Sequence, residues 1–402
     1  MLGLECHRTV HASAVPRNPR GDIALALAVA TALLVLAGCG GASTPPSGST
    51  SAVRSGAGTA SPAGSAAAGA TGSGGSGSGS ASVTAGRSAT PGTVRIGFAG
   101  DVHFADRTAT RLAADPATAF GPAAVALSAP DLTMVNLETA IAVGGQPEAK
   151  SFTFRAPPSA FTALRAAGVD VVTMANNHAA DYGSAGLAQT LAAIRNTGFP
   201  VVGIGANAGA AFAPYYTQVN GVRLAILAAS QVQEETLAHF SASDSQAGIA
   251  NAYSDRLIDS VRAAKARSDA VIVYLHWGTE YQSCPNRDQQ ALADSLAAAG
   301  ANAVVGTHAH VLQGAGWRSD GRYVAYGLGN YFWWRSFGNS QDDDGVLTLT
   351  LTRDRVTAAV FAPARLDDRG IAVPATGTTA SRILGQLDQA RDCAGLLAAP
   401  PR

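Results

Sequence analysis

From Thr93 onward, short apolar and β-branched runs alternate with stretches of helical periodicity. "TVRIGFAG" (93–100) and "LTMVNLE" (132–138) predict strands. "SAFTALRAAG" (159–168) predicts a helix that leads into the strand "VDVVTMA" (169–175). "SAGLAQTLAAIRNTG" (184–198) has apolar i, i+3, i+4 spacing and a glycine stop, and the strand "FPVVGIG" (199–205) follows it. "VRLAILAAS" (222–230) and "DAVIVYLH" (269–276) read as buried strands, the second preceded by the helix "SDRLIDSVRAAKAR" (254–267). "RDQQALADSLAAAG" (287–300) predicts a helix that feeds the strand "NAVVGTH" (302–308). Strand-like pieces without helices close the chain: "RYVAYGLGNYF" (322–332) and a hairpin over 345–366 turning at Arg353–Arg355. The pattern predicts an α/β fold of mixed sheets, most simply one layered domain over 93–402.

Ahead of this domain the pattern differs. Arg8, Arg17 and Arg20 precede an apolar run from Ile23 to Ala37, too short for a spanning helix and right for a signal peptide. It ends in "LAGC" (36–39), which resembles a bacterial lipobox and makes Cys39 the expected lipidation site. The alternative is a plain N-terminal membrane anchor; both put the remainder outside the cytoplasmic membrane. Residues 40–92 are Gly, Ser, Ala, Thr and Pro with only two charges, a composition that predicts a disordered tether. A coil of that length reaches roughly 40 Å.

The balance of 28 basic and 28 acidic residues gives no electrostatic case for nucleic acid or for an anionic membrane surface. Of the four cysteines, Cys6 falls in the signal and Cys39 in the lipobox, which leaves Cys284 and Cys393 in an oxidising compartment. There a disulfide between them is expected, against two unpaired thiols. "GIGANA" (203–208) matches a dinucleotide pattern, but no acidic residue ends the next strand, so a nicotinamide site is excluded. No G-x-S-x-G elbow and no H-E-x-x-H occur, which disfavours serine hydrolases and zincins.

The polar residues that remain fall at strand ends. "GDVH" supplies Asp101 and His103, "NLE" Asn136 and Glu138, and "NNH" Asn176, Asn177 and His178. "LHWGTEY" supplies His276 and Glu280, and "GTHAH" His308 and His310. Past the signal region only His239 lies away from a strand end. The carboxyl ends of strands in α/β sheets share one edge, where sites form. In extended chain i and i+2 point the same way, so Asp101/His103 and His308/His310 each offer two ligands to one centre. Adjacent Asn177 and His178 point apart. Oxygen and nitrogen ligands without thiolate suit a divalent metal, two ions of Zn, Mn or Fe.

Together "GDVHFADR", "NLETAI", "NNHAADYG", "LHWGTEY", "GTHAHVLQG" and "YGLGNYF" resemble the CapA/PgsA family of capsule and poly-γ-glutamate synthesis proteins, over about Val94 to Pro363. The resemblance implies a calcineurin-like metallophosphoesterase fold of four layers, α/β/β/α. It implies metal ligation by Asp101, His103, Glu138, Asn177, His276, His308 and His310, with Glu138 where metallophosphoesterases have a bridging aspartate. It gives His178 the role of an acid facing the substrate. Ala179 stands where an acidic residue usually follows, and Asp181 is the candidate to orient His178. Weaker substrate-binding candidates are Glu280, Tyr281, Arg155 and Arg335, the arginines for polymer carboxylates.

Two classes of function compete. One is an envelope-anchored metal-dependent hydrolase of a cell-surface polymer such as poly-γ-glutamate. The other is a non-catalytic accessory lipoprotein of a membrane polymer synthesis and export complex. A phosphoesterase for small esters is a third reading.

Overall fold

The computed structural model describes residues 90–402; the expected signal segment, the expected lipidation site Cys39 and the expected tether up to residue 89 lie outside the described residues. In chain order the strands of the two main sheets are β1 (Val94–Val102), β2 (Leu132–Leu137), β3 (Val171–Thr173), β4 (Val201–Val202), β5 (Tyr215–Val219), β6 (Val222–Ser230), β7 (Ala270–His276), β8 (Ala303–Thr307), β9 (Ala315–Trp317), β10 (Tyr323–Ala325), β11 (Asn330–Phe332), β12 (Asp343–Leu351), β13 (Val356–Leu366) and β14 (Ala372–Pro374). The main helices are α1 (Asp106–Ala114), α2 (Ser159–Ala166), α3 (Gly183–Thr197), α4 (Asp255–Lys265), α5 (Arg287–Ala299) and α6 (Gly377–Cys393).

The strands divide between two sheets. One has eight strands in the order β14-β13-β12-β1-β2-β3-β4, with β11 also pairing β1; the other runs β9-β10-β8-β7-β6-β5. In the first, β1 to β4 are parallel and the β12–β13 hairpin joins antiparallel. In the second, β6, β7, β8 and β10 are parallel.

Alternation along β7 explains the layering. Ile272 and Tyr274 face Ile96 and Phe98 of β1 across an apolar seam between the sheets. Val271, Val273 and Leu275 face the other way, onto Leu257 and Val261 of α4 and Leu292 and Leu296 of α5. Buried on both faces, the strand reads as a continuous apolar run. On the far side, α1, α2 and α3 bring Leu112, Phe161 and Leu187 against Val135 and Val172. The result is the four-layer α/β/β/α arrangement.

Two expected strands are cut by glycine. "FPVVGIG" breaks at Gly203, where φ is +83° and a Cβ would lie 2.5 Å from that of Ala175. "RYVAYGLGNYF" breaks at Gly327–Gly329, and its halves join different sheets: β10 pairs β8, and β11 pairs β1. A Cβ on Gly100 would sit 1.9 Å from the Gly329 carbonyl oxygen, so the crossing chain lies directly on β1.

Candidate metal centre

The strand ends converge from two sheets rather than along one, and register sets what meets. Asp101 is opposite Asn136, and Asn136 opposite Thr173. On the other sheet His276 pairs with Thr307. A chain of carboxamides joins the edges. Asn176 Nδ2 donates to Asn136 Oδ1 at 2.9 Å, and Asn136 Nδ2 donates to Asp101 Oδ1 at 2.8 Å while lying 3.2 Å from His276 Nδ1. These two asparagines hold ligand candidates in place.

Glu138 lies at the middle of the centre. It is fully buried and neither carboxylate oxygen has a hydrogen-bond partner. Its Oε1 is 3.4 Å from His276 Nε2 and 3.9 Å from His178 Nε2. Donor atoms of Glu138, His308 and His310 lie within 4.8 Å of one another, as do those of Asp101, Glu138 and His276. Asn177 Oδ1 is 2.9 Å from His276 Nε2, beside the second group. Buried carboxylates without partners are costly unless a proton or a cation answers them. His308 Nδ1 is a further buried atom without a partner. The donor set therefore fits a divalent ion, and a carboxylate common to two groups fits a bridging role.

The charges agree. Burial pushes the Glu138 carboxyl well above its ordinary value, and the neighbouring Asp101 charge adds to it. Burial pushes the opposite way on Asp101 than its partners do; the His310 hydrogen bond and the His276 and His310 charges win, and its value is lowered. Burial lowers His276 to about 4 and His308 well below the usual range, so both are neutral and free to ligate at pH 7. His310 is the exception. Burial lowers it, but the Asp101 hydrogen bond and the Glu138 and Asp101 charges outweigh that and raise it to about 9.

His308 and His310 do not lie in extended chain. Their φ angles are +91° and +54°, a left-handed region that costs non-glycine residues energy. The turn, not strand pleating, brings their ring centroids to 5.9 Å. Tyr281 N donates to the Ala309 carbonyl at 2.7 Å and pins it. His103 is in none of the three donor groups but lies near enough to feel the charges of Asp101, His178 and His310. Its ring is packed between Phe154 and Trp333, and its Nε2 accepts the Trp334 N–H at 3.1 Å, which leaves Nδ1 without a partner.

His178 and Asp181 form a dyad within one turn, Nδ1 to Oδ2 at 2.7 Å, and Phe154 N donates to the same carboxylate oxygen at 2.6 Å. The pair is an i, i+3 neighbour pair in place of an adjacent one. Burial lowers the His178 imidazole, against the pull of Asp181. Lys150 completes the arrangement: its Nζ is 2.9 Å from Asp181 Oδ1 and donates to the Asn177 carbonyl at 2.6 Å.

Two clefts open onto the centre. A cavity of ≈ 710 Å³ is lined by Lys150, Asn177, His178, Glu234, Glu235 and Glu280. A slot of ≈ 80 Å³ reaches His178 and His310 past Glu280, Tyr281, Trp333 and Arg335. Arg155 lines neither; it is exposed and lies over the Tyr182 ring at 4.6 Å. Sequence reading missed Lys150, Glu234, Asn330 and Trp333. Asn330 Oδ1 lies 2.9 Å from His310 Nδ1, and Glu234 accepts from Asn177 Nδ2 at 2.9 Å. Glu234 follows the end of β6 by four residues, so the strand-end rule applied there would have found it.

Cys284 and Cys393 are joined as a disulfide with Cα atoms 5.8 Å apart, which ties the end of α6 to the loop after His276.

Residues 95–333 match the family described as bacterial capsule synthesis protein PGA_cap. The chain belongs to this family. Among PGA_cap relatives, the capsule biosynthesis protein CapA of Bacillus anthracis is 33% identical over 213 residues, 52% of this chain and 50% of that one. The PGA biosynthesis protein CapA of Bacillus subtilis (strain 168) is 34% identical over 173 residues, 43% of this chain and 44% of that one. A Mycobacterium tuberculosis protein named "Probable polyglutamine synthesis accessory protein" is 30% identical over 192 residues, 46% and 50% of the two chains. This chain thus spans about half the length of the curated relatives it matches. Among solved structures, a phosphatase of Mycoplasma pneumoniae aligns with a TM-score of 0.45 at 14% identity, covering 69% of this chain and 95% of that one.

Proposed function

We propose that this chain is a divalent-metal-dependent hydrolase of a γ-glutamyl cell-surface polymer, working outside the cytoplasmic membrane on a lipid anchor at Cys39. The observation that carries the proposal is Glu138, a buried carboxylate with both oxygens unpaired and common to two groups of converging donors. Asp101, His103, Glu138, Asn177, His276, His308 and His310 would hold a divalent metal, Zn, Mn or Fe. Bound ions supply Lewis-acid polarisation and charge neutralisation at the scissile group.

The chain's own residues carry the proton. Asp181 fixes the His178 ring through Nδ1, which leaves Nε2 turned toward Glu138. From there the neutral His178 can take a proton at Nε2 from the attacking water and deliver it to the leaving amine. Phe154, ring to ring with both His103 and His178, keeps water from that side. The names of the CapA relatives support capsule or PGA biosynthesis as the setting; a membrane polymer synthase or export complex is the partner this reading implies.

Metal analysis of the purified chain, with hydrolysis of γ-glutamyl polymer and of a generic phosphodiester measured side by side, tests the proposal. Bound metal with polymer cleavage is expected. Cleavage of the diester alone would move the function to small phosphate esters. Bound metal without turnover would favour the accessory role that the mycobacterial relative's name carries. A chain that binds no metal refutes the proposal.

A further inference from the structure

The slot beside His310 is lined by two opposite charges, Arg335 and Glu280, that do not pair with each other. The Arg335 guanidinium lies over Trp334 at 4.3 Å and over Phe337 at 4.6 Å. That stacking fixes its plane and leaves its N–H edge to find an acceptor. No ion pair to Arg335 or Glu280 exists among the described residues. On the side of the wider cleft, carboxylate oxygens of Glu280 and Glu234 and a ring nitrogen of His308 lie within 4.8 Å of one another. The lysine nearest to hand in the wider cleft, Lys150, is already engaged by Asp181 and the Asn177 carbonyl. The slot therefore offers a preset fork for a carboxylate and, next to it, the Glu280 carboxylate without a cation.

We propose that this slot binds an α-amino-acid head group, its carboxylate on Arg335 and its ammonium on Glu280. The inference rests on the cleft being the substrate site. In a γ-linked chain every residue carries a free α-carboxylate, but only the amino-terminal residue also carries a free ammonium on the same carbon. A slot that reads both groups selects the end of a polymer over its interior. Its size agrees, since ≈ 80 Å³ is the room of a few waters and not of a chain. The wider cleft agrees too: it sets Glu234, Glu235 and Glu280 against the single, already paired Lys150, and so repels a polyanionic interior.

The test is calorimetric binding to the full chain of three probes: glutamate, γ-glutamylglutamate and its N-acetyl derivative. The free dipeptide should bind, and acetylation should weaken it at least tenfold. Arg335→Gln should weaken the dipeptide about tenfold to hundredfold, the scale of a charge-assisted hydrogen bond. Glu280→Gln should bind the free and acetylated dipeptides alike. Arg155→Gln, away from both clefts, should match the wild type. Equal binding of acetylated and free dipeptide by the wild type overturns the proposal, as does undiminished binding by Arg335→Gln. Glutamate, which carries the same head group, should bind and compete with the dipeptide; a dipeptide that glutamate does not displace overturns the head-group assignment. Because binding is read and not turnover, a chain that discriminates among the probes but hydrolyses none sinks the hydrolase reading alone.

Discussion

Lys150→Met is a sharp test of the acid–base machinery. The lysine ammonium is 2.9 Å from Asp181 Oδ1, and the two side chains are 8% and 0% exposed. Its removal strands a buried carboxylate. Losing one partner of a buried ion pair costs about 3–5 kcal/mol. Asp181 keeps the Phe154 N–H and the His178 ring, so the lower end applies, about 3 kcal/mol by the same measure. For a domain of this size that corresponds to a fall in Tm of roughly 6 °C. The second consequence is positional. Lys150 also holds the Asn177 carbonyl, and Asp181 alone then sets the His178 ring. Turnover should fall about tenfold while metal content stays the same. A double-mutant cycle of Lys150→Met with Asp181→Asn, read by denaturant unfolding, should give a coupling energy of at least about 2 kcal/mol. A single-variant cost below about 1 kcal/mol, the level of an exposed pair, would refute the reasoning.

His310→Ala should lower metal content in elemental analysis and abolish activity with the fold intact by circular dichroism, whereas exposed His239→Ala should do neither; equal losses would sink the centre drawn here. His178→Ala should retain metal and lose about 10²–10⁴-fold in turnover, and a loss of metal instead would make it a ligand. Breaking the Cys284–Cys393 disulfide, with 109 residues between its ends, should cost about 4–5 kcal/mol in the chain-entropy account, seen as a Tm drop on Cys393→Ser; an unchanged Tm refutes it. In the metal-free chain His310 holds a proton at pH 7, because its acidic partners outweigh burial and raise it to about 9; burial and Asp101 raise Glu138 as well. The raised His310 value favours the folded state at low pH, so metal-free stability should fall as pH rises above about 6.5 toward 9. Metal uptake should release protons and tighten over the same range, and calorimetry in buffers of differing ionisation heat that finds no proton release would contradict this.

Much of the fold was legible because its parallel strands are buried on both faces. β6 spans Val222–Ser230 and β7 Ala270–His276, close to the runs read from the sequence, since continuous apolar stretches have few alternative ends. Division into two sheets was not legible from periodicity. It depends on β11 leaving β10 and crossing to β1, a close approach that only Gly100 and Gly329 permit and that leaves no hydrophobic signature. At the site, residue type at strand ends was the useful signal, and it extended to Glu234. Lys150 gave none: it sits in a loop between elements, and its role exists only because Asp181 stands three residues past His178 instead of one. The spacing of His308 and His310 was informative for a different reason from the one that drew attention to it. Two imidazoles two residues apart meet here through a left-handed turn, and a strand pleat played no part.

That turn also shows how the centre is held. Left-handed non-glycine residues cost about 1–3 kcal/mol each, and two occur within three residues. Nothing in the turn itself repays this. The contacts that do lie outside it: Asn330 on the His310 ring, Tyr281 N on Ala309, and the His276 ring centroid 4.7 Å from that of His308. They come from two strand ends: His276 and Tyr281 from the end of β7 and the loop after it in the second sheet, and Asn330 from the strand that crosses to the first. The strain, the unpaired Glu138 oxygens and the carboxamide chain from Asn176 through Asn136 thus fall at one point, where neither sheet alone could supply the partners. A centre built this way is intact only while both sheets are docked, so the seam of Ile96, Phe98, Ile272 and Tyr274 between them is as much a condition of the site as any ligand in it.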